Sequence, residues 1–107
     1  MNLDENESLM RKNIRRTCLI PTKCIIEDHS FKSYIIDIST VGVFIETNDR
    51  FALGQKVAMA FKLSGYAEPL ALKGRITRSG TRGMGVNFFG LTPNQNTLIR
   101  TFIENKQ

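Results

Sequence analysis

Tryptophan is missing from this chain of 107 residues, histidine occurs once and cysteine only twice. No apolar stretch approaches the roughly 18 residues that cross a bilayer as a helix. The first ten residues, MNLDENESLM, lack the basic flank and apolar core of a secretory signal, so the chain reads as cytoplasmic. Cys18 and Cys24 lie at even spacing in an apolar segment and share one face of a regular strand. With only His29 to join them they make no zinc set, and they read as reduced, buried thiols. His29 falls in a predicted turn beside Glu27 and Asp28, far from any activating nucleophile motif. The G-x-S-x-G elbow, the P-loop and the dinucleotide fingerprint are all absent. The GMG at positions 83–85 lies in a strand-like segment, where it reads as a close backbone approach. These absences point away from an enzyme, and no metal or cofactor is expected. Acidic side chains are also few, ten against fifteen basic ones, which leaves a net charge of +5. A pI near 9.6 calls for an anionic partner, with nucleic acid, a nucleotide and an acidic protein all open.

What the chain does contain is a rhythm of short apolar segments broken by turns. After an acidic leader over residues 1–10, expected to be flexible, residues 11–107 make a single domain. TCLIPTKCIIE ends at a turn around Asp28, His29 and Ser30, and Pro21 within it argues for an edge or a bulge. FKSYIIDI and VGVFIET follow, rich in branched and aromatic residues. QKVAMAFKL alternates, with Val57, Met59, Phe61 and Leu63 on one face. Leu70, Leu72 and Ile76 repeat at even spacing in EPLALKGRITRS, and GMGVNFF puts Met84, Val86 and Phe88 on one side. About six strands at roughly ten-residue spacing predict an antiparallel barrel or sandwich. The end differs: Thr92-Pro93-Asn94-Gln95 has a capping hydroxyl, a proline at the first helical position and a glutamine for a capping box. Leu98 with Phe102, and Ile99 with Ile103, give the helix an apolar stripe.

Two motifs carry the chemistry. RKNIRR at 11–16 crowds four cations into six positions and contains R-x-x-x-R as Arg11 and Arg15. About twenty residues later, Asp37-Ile38-Ser39-Thr40-Val41-Gly42 spells D-x-S-x-x-G at the junction of two strands. Alone, the first is a solvated basic face and the second an ordinary turn. Together and in this order they resemble the PilZ domain, as do Pro21 after the arginine motif, GMGVNF as a late strand and LTP before a C-terminal helix. The resemblance implies an all-β fold, a six-stranded antiparallel β-barrel with a C-terminal α-helix behind a flexible N-terminal segment. It also implies binding of the bacterial second messenger cyclic di-GMP by a stand-alone receptor that signals to an unidentified downstream protein, as a monomer or a homodimer.

The residue chemistry agrees with that ligand, which offers two phosphates and two guanines. Arg11 and Arg15 present planar forks that match a phosphate or the O6/N7 edge of guanine, and they can stack on a base. Asp37 accepts the N1–H and N2–H donors of guanine. Ser39 bonds a phosphate or fixes the loop, and Gly42 permits the turn or the close approach of a base. Lys12 fits a peripheral phosphate contact, whereas Arg16 stands where an apolar residue is common and reads as pointing into water or as a peripheral contact. Arg75, Arg78 and Arg82 read as solvated surface that adds charge. Val43 stands where a second glycine is frequent, which makes the loop less permissive. Two alternatives stand beside this reading. One is a PilZ-like module that acts by protein contacts without ligand. The other is a basic barrel for single-stranded nucleic acid, with Tyr34, Phe44 and Phe89 as candidate stacking rings.

Overall fold

The computed structural model describes residues 14–105. The leader, Arg11 and Lys12 lie outside the described residues. Six strands, β1 (Arg15–Ile26), β2 (His29–Ser39), β3 (Gly42–Glu46), β4 (Lys56–Phe61), β5 (Leu70–Ser79) and β6 (Gly83–Phe89), precede one helix, α1 (Pro93–Glu104). Every neighbouring pair is antiparallel, and the sheet closes on itself in the order β1-β2-β3-β6-β5-β4. Closure removes the free edges that a short sheet would otherwise expose.

Period-two burial along the strands puts one apolar set inside. β1 buries Ile20, Thr22, Cys24 and Ile26, and β4 buries Val57, Met59 and Phe61. On β5 the inward row is Leu70, Leu72, Gly74 and Ile76, and β6 adds Met84 and Val86. Both thiols are free and point to the inner side of β1, Cys24 fully buried and Cys18 partly so. Burial is the main cause that lifts both to about 11, and the Asp37 carboxylate adds to it at Cys18.

Helix α1 starts as its sequence predicts. The Thr92 hydroxyl accepts from the Gln95 N–H at 3.0 Å, and the Gln95 side chain accepts from the Thr92 N–H at 3.0 Å. Ile99, Phe102 and Ile103 then join the barrel core. At its other end the helix meets β1. The Arg16 guanidinium donates to the Phe102 carbonyl at 2.6 Å and to the Asn105 carbonyl at 3.4 Å, and lies 4.0 Å from the centre of the Phe102 ring. A cation at the negative end of a helix dipole is favourable, and this one satisfies carbonyls that the helix leaves unpaired. The expectation that Arg16 points into water is therefore overturned: alternation along β1 turns it inward toward the helix.

Of two other expectations, one holds and one needs adjusting. Pro21 lies where the β4 side of β1 is still unpaired, a local edge within the closed barrel. It follows a register irregularity between Thr17 and Ile20, and pairing of β1 with β4 begins only at Thr22, so its missing N–H breaks no ladder there. The first hairpin turns at Glu27-Asp28, and His29 opens β2 opposite Ile26. Its ring lies against Phe31 and Phe51, with Nε2 3.9 Å from Asp49. No helix of the described residues is long and apolar enough to cross a membrane.

Candidate functional site

Where β1 begins, β2 ends and β3 starts, the second motif folds into a short, tied loop. Ser39 is buried at 3 % exposure, and its hydroxyl accepts from the N–H groups of Val41 (3.0 Å) and Gly42 (3.2 Å) while bonding the Gly42 carbonyl at 3.4 Å. Of the two roles open to Ser39, this geometry commits the side chain to holding the loop. The Val41 carbonyl accepts from the Phe88 N–H at 2.8 Å, which fastens the same loop to β6. Gly42 pairs with Asn87, and a Cβ there would sit 2.1 Å from the Val86 carbonyl oxygen. The need for glycine thus comes from the neighbouring strand, since Gly42 is not among the residues with positive φ. Of the two glycines of GMG, Gly83 serves the same end, whereas Gly85 faces only a flexible side chain. A Cβ on Gly83 would meet the Ile45 carbonyl at 2.4 Å, and one on Gly85 would meet the Arg78 side chain at 3.2 Å.

Arg15 and Asp37 come together across β1 and β2. Arg15 stands opposite Ser39 and Asp37 opposite Thr17, so the pair is diagonal, within reach of a long side chain. Arg15 Nη1 donates to Asp37 Oδ2 at 3.2 Å. The arginine is half exposed at 49 %, whereas the aspartate side chain is 30 % exposed. Asp37 Oδ1 is buried and has no hydrogen-bond partner among the described residues. A buried acceptor left unpaired costs about 1–3 kcal/mol, so this oxygen is primed for a donor. Among the described residues, this is the one hydrogen bond made by the Arg15 guanidinium, which carries five N–H donors.

Arg15, Ser39 and Gly42 line a cavity of about 200 Å³ together with Arg78 and Asn87. Arg78 stands opposite Gly85 and lies 5.7 Å from the centre of the Phe44 ring. It is exposed, as solvated surface should be, and it adds its charge at the mouth of this cavity. Arg75 instead bonds the Gly54 carbonyl at 3.2 Å and lies 5.3 Å from the Phe89 ring centre. Register irregularities fall between Thr17 and Ile20, between Ile35 and Asp37, and between Ile76 and Arg78. Bulges re-aim side chains, and these three sit beside the polar residues of the site. Tyr34, Phe44 and Phe89 share no ring contact with one another; the ring pairs among the described residues join His29, Phe31 and Phe51. No group of three metal-ligating side chains gathers among the described residues.

Comparison with known proteins agrees with this arrangement. No curated protein sequence matches the chain. Among solved structures, the Bacillus subtilis inhibitor of motility MotI/DgrA superposes with a TM-score of 0.76 at 13% identity, covering 88% of this chain and 49% of that one. The chain thus spans about half the length of that protein. The PilZ domain of CeSA from a cellulose-synthesizing bacterium gives a TM-score of 0.68 at 19% identity, covering 84% of this chain and 94% of that one. At these identities the likeness speaks for the fold. The PilZ domain model matches residues 10–105, a span that takes in both motifs. With the barrel, the two motifs and this match in agreement, the chain belongs to the PilZ domain family, a family of cyclic di-GMP receptors.

Proposed function

We propose that this protein is a cyclic di-GMP receptor and adaptor, in which Arg11, Arg15 and Asp37 grip the nucleotide while Ser39 and Gly42 hold the loop that presents them. The observation that carries the reading is the Arg15–Asp37 pair at 3.2 Å, with the buried, unpaired Asp37 Oδ1 beside it. Guanine is the base that offers two adjacent donors, N1–H and N2–H, to one carboxylate. Binding it gives Oδ1 a partner and leaves Arg15 free to turn its remaining donors on a phosphate or on O6 and N7. Arg78 stands where it can face the same ligand from β5. A good bidentate contact is worth about 1–3 kcal/mol, and micromolar affinity is about 8 kcal/mol in total. A few such contacts with stacking therefore suffice.

The ligand acts as the signal by drawing the residues ahead of β1 against the barrel, which changes the surface offered to a partner protein. Isothermal titration calorimetry tests the first step. Cyclic di-GMP is expected to saturate the protein in the micromolar range, with GTP and cyclic GMP far weaker. Absence of heat with cyclic di-GMP, or equal affinity for all three nucleotides, would remove the reading. Amide exchange tests the second step. Protection of the N-terminal residues should rise on adding the nucleotide, and unchanged exchange would discard the switch.

A further inference from the structure

A second concavity lies on the outer face of the barrel, away from the motifs. It encloses about 580 Å³ over β1, β2 and the end of β4, with Pro21, Tyr34 and Pro69 as apolar lining and Lys23, Lys32 and Lys62 around them. It shares no lining residue with the cavity at Arg15. The strand register explains both halves of its character. Pro21 stands opposite Tyr34, and Lys23 stands directly opposite Lys32, with Ala60 on the other side of Lys23. Like charges facing across an antiparallel pair destabilise a sheet. Among the described residues no acidic side chain lines the groove, and none of the three lysines stands in an ion pair there. Tyr34 is 43% exposed over this floor. A barrel that keeps this arrangement carries a cost in isolation, which an anionic partner with an apolar side chain would offset.

We propose that this groove docks an acidic segment of a partner protein, one bulky apolar side chain seating between Pro21, Tyr34 and Pro69 while flanking carboxylates pair with Lys23, Lys32 and Lys62. Nucleic acid fits less well, because a single exposed ring provides no succession of stacking surfaces. A lipid surface fits less well too, because Pro21, Tyr34 and Pro69 line a concavity, which suits one inserted side chain better than a flat surface. The inference rests on the adaptor reading for its biological sense, and it supplies that reading with a place for the partner. Strand β1 connects the two sites. Lys23 follows Arg15 by eight residues, about 26 Å along an extended strand.

Fluorescence anisotropy of the full chain with a labelled heptapeptide, phenylalanine at its centre and acidic residues around it, tests the proposal. Saturable binding is expected, weakened about tenfold by Lys32→Glu/Lys62→Glu and also weakened by Tyr34→Ala. Lys32→Glu replaces a repulsive cross-strand pair with an attractive one, so a loss of binding in that variant reflects the surface and not the fold. Cyclic di-GMP affinity should be unchanged in Lys32→Glu/Lys62→Glu, and peptide affinity unchanged in Arg15→Ala. Peptide binding with no nucleotide binding would leave the groove standing and discard only the receptor reading. Four results would overturn the groove: no saturable peptide binding, wild-type peptide affinity in the lysine variant, tighter binding of a single-stranded oligonucleotide or of phosphatidylglycerol vesicles through these lysines, or peptide binding that emerges only after Asp4, Glu5 and Glu7 are changed to glutamine, which would make the chain's own leader the occupant.

Discussion

Gly42 and Ser39 make the same small loop by different means. At Gly42 the limit is steric: a methyl group 2.1 Å from the Val86 carbonyl oxygen cannot be housed without moving β6. Overpacking of that kind costs typically 1–3 kcal/mol, so Gly42→Ala should lower the thermal midpoint by several degrees. At Ser39 the limit is polar. Its hydroxyl serves two backbone N–H groups in a buried setting, and Ser39→Ala strands both. Urea denaturation of that variant should show a loss of about 1–3 kcal/mol, whereas wild-type stability would mean that the hydroxyl is held for the ligand. D-x-S-x-x-G thus announces a tight loop, but sequence could not rank Ser39 between loop and phosphate, because the choice depends on where the Val41 and Gly42 N–H groups point. Nor could it show that Gly42 answers to β6, a strand more than forty residues away.

Among the elements, the strands and the helix cap were legible in pattern and the bulges were not. Alternation along β4, β5 and β6 names the buried faces correctly, and Thr92 with Gln95 marks the helix start. Bulges leave no comparable trace in one sequence, since one extra residue in one strand changes no composition. They decide which side chains meet, and sequence alone does not show that the exposed Arg78 shares a cavity with Arg15. Arg16 was misjudged for a related reason. Its side of β1 follows from alternation, but its partner is the far end of a helix 86 residues later. Arg16→Ala removes a fork from the Phe102 and Asn105 carbonyls and a cation from the Phe102 ring. About 1–2 kcal/mol should be lost, within the range for a partly buried cation at a helix C-terminus. Arg16→Lys should recover only part of it, because an ammonium cannot span two carbonyls as a planar fork does. Chemical denaturation reads the difference, and equal stability in all three proteins would deny the helix latch.

For the molecule as a whole, closing six strands into a barrel buries Cys24 and half-buries Cys18, and this ties stability to alkaline pH. Both thiols rise from 9.0 to about 11 in the folded chain. A raised thiol favours the protonated form, so the folded state binds more protons than the unfolded chain between these values. The associated stability is fully present below pH 9 and is lost as pH climbs toward 11. Denaturation midpoints should therefore fall over that window, and fall less steeply in Cys18→Ala/Cys24→Ala. Equal slopes would locate the effect in other groups. Closure also brings Arg15 of the first motif to Asp37 of the second, since β1 pairs with β2, and it leaves the lysine groove on a separate face. The order of the motifs anticipates the meeting of Arg15 with Asp37, whereas the groove needs the register of Lys23 with Lys32 and Ala60. The central claim is that Arg15 and Asp37 act on one guanine nucleotide. Calorimetric titration of cyclic di-GMP into the wild-type protein, Arg15→Ala, Asp37→Ala and the double variant tests it most directly. Each single change should weaken binding about ten- to a hundredfold, equal to about 1.4–2.8 kcal/mol, and the double change should cost less than the sum. The thermal midpoint of Arg15→Ala should barely move, because an ion pair made by a half-exposed arginine contributes at most about 1 kcal/mol. Wild-type affinity in both single variants would contradict the account.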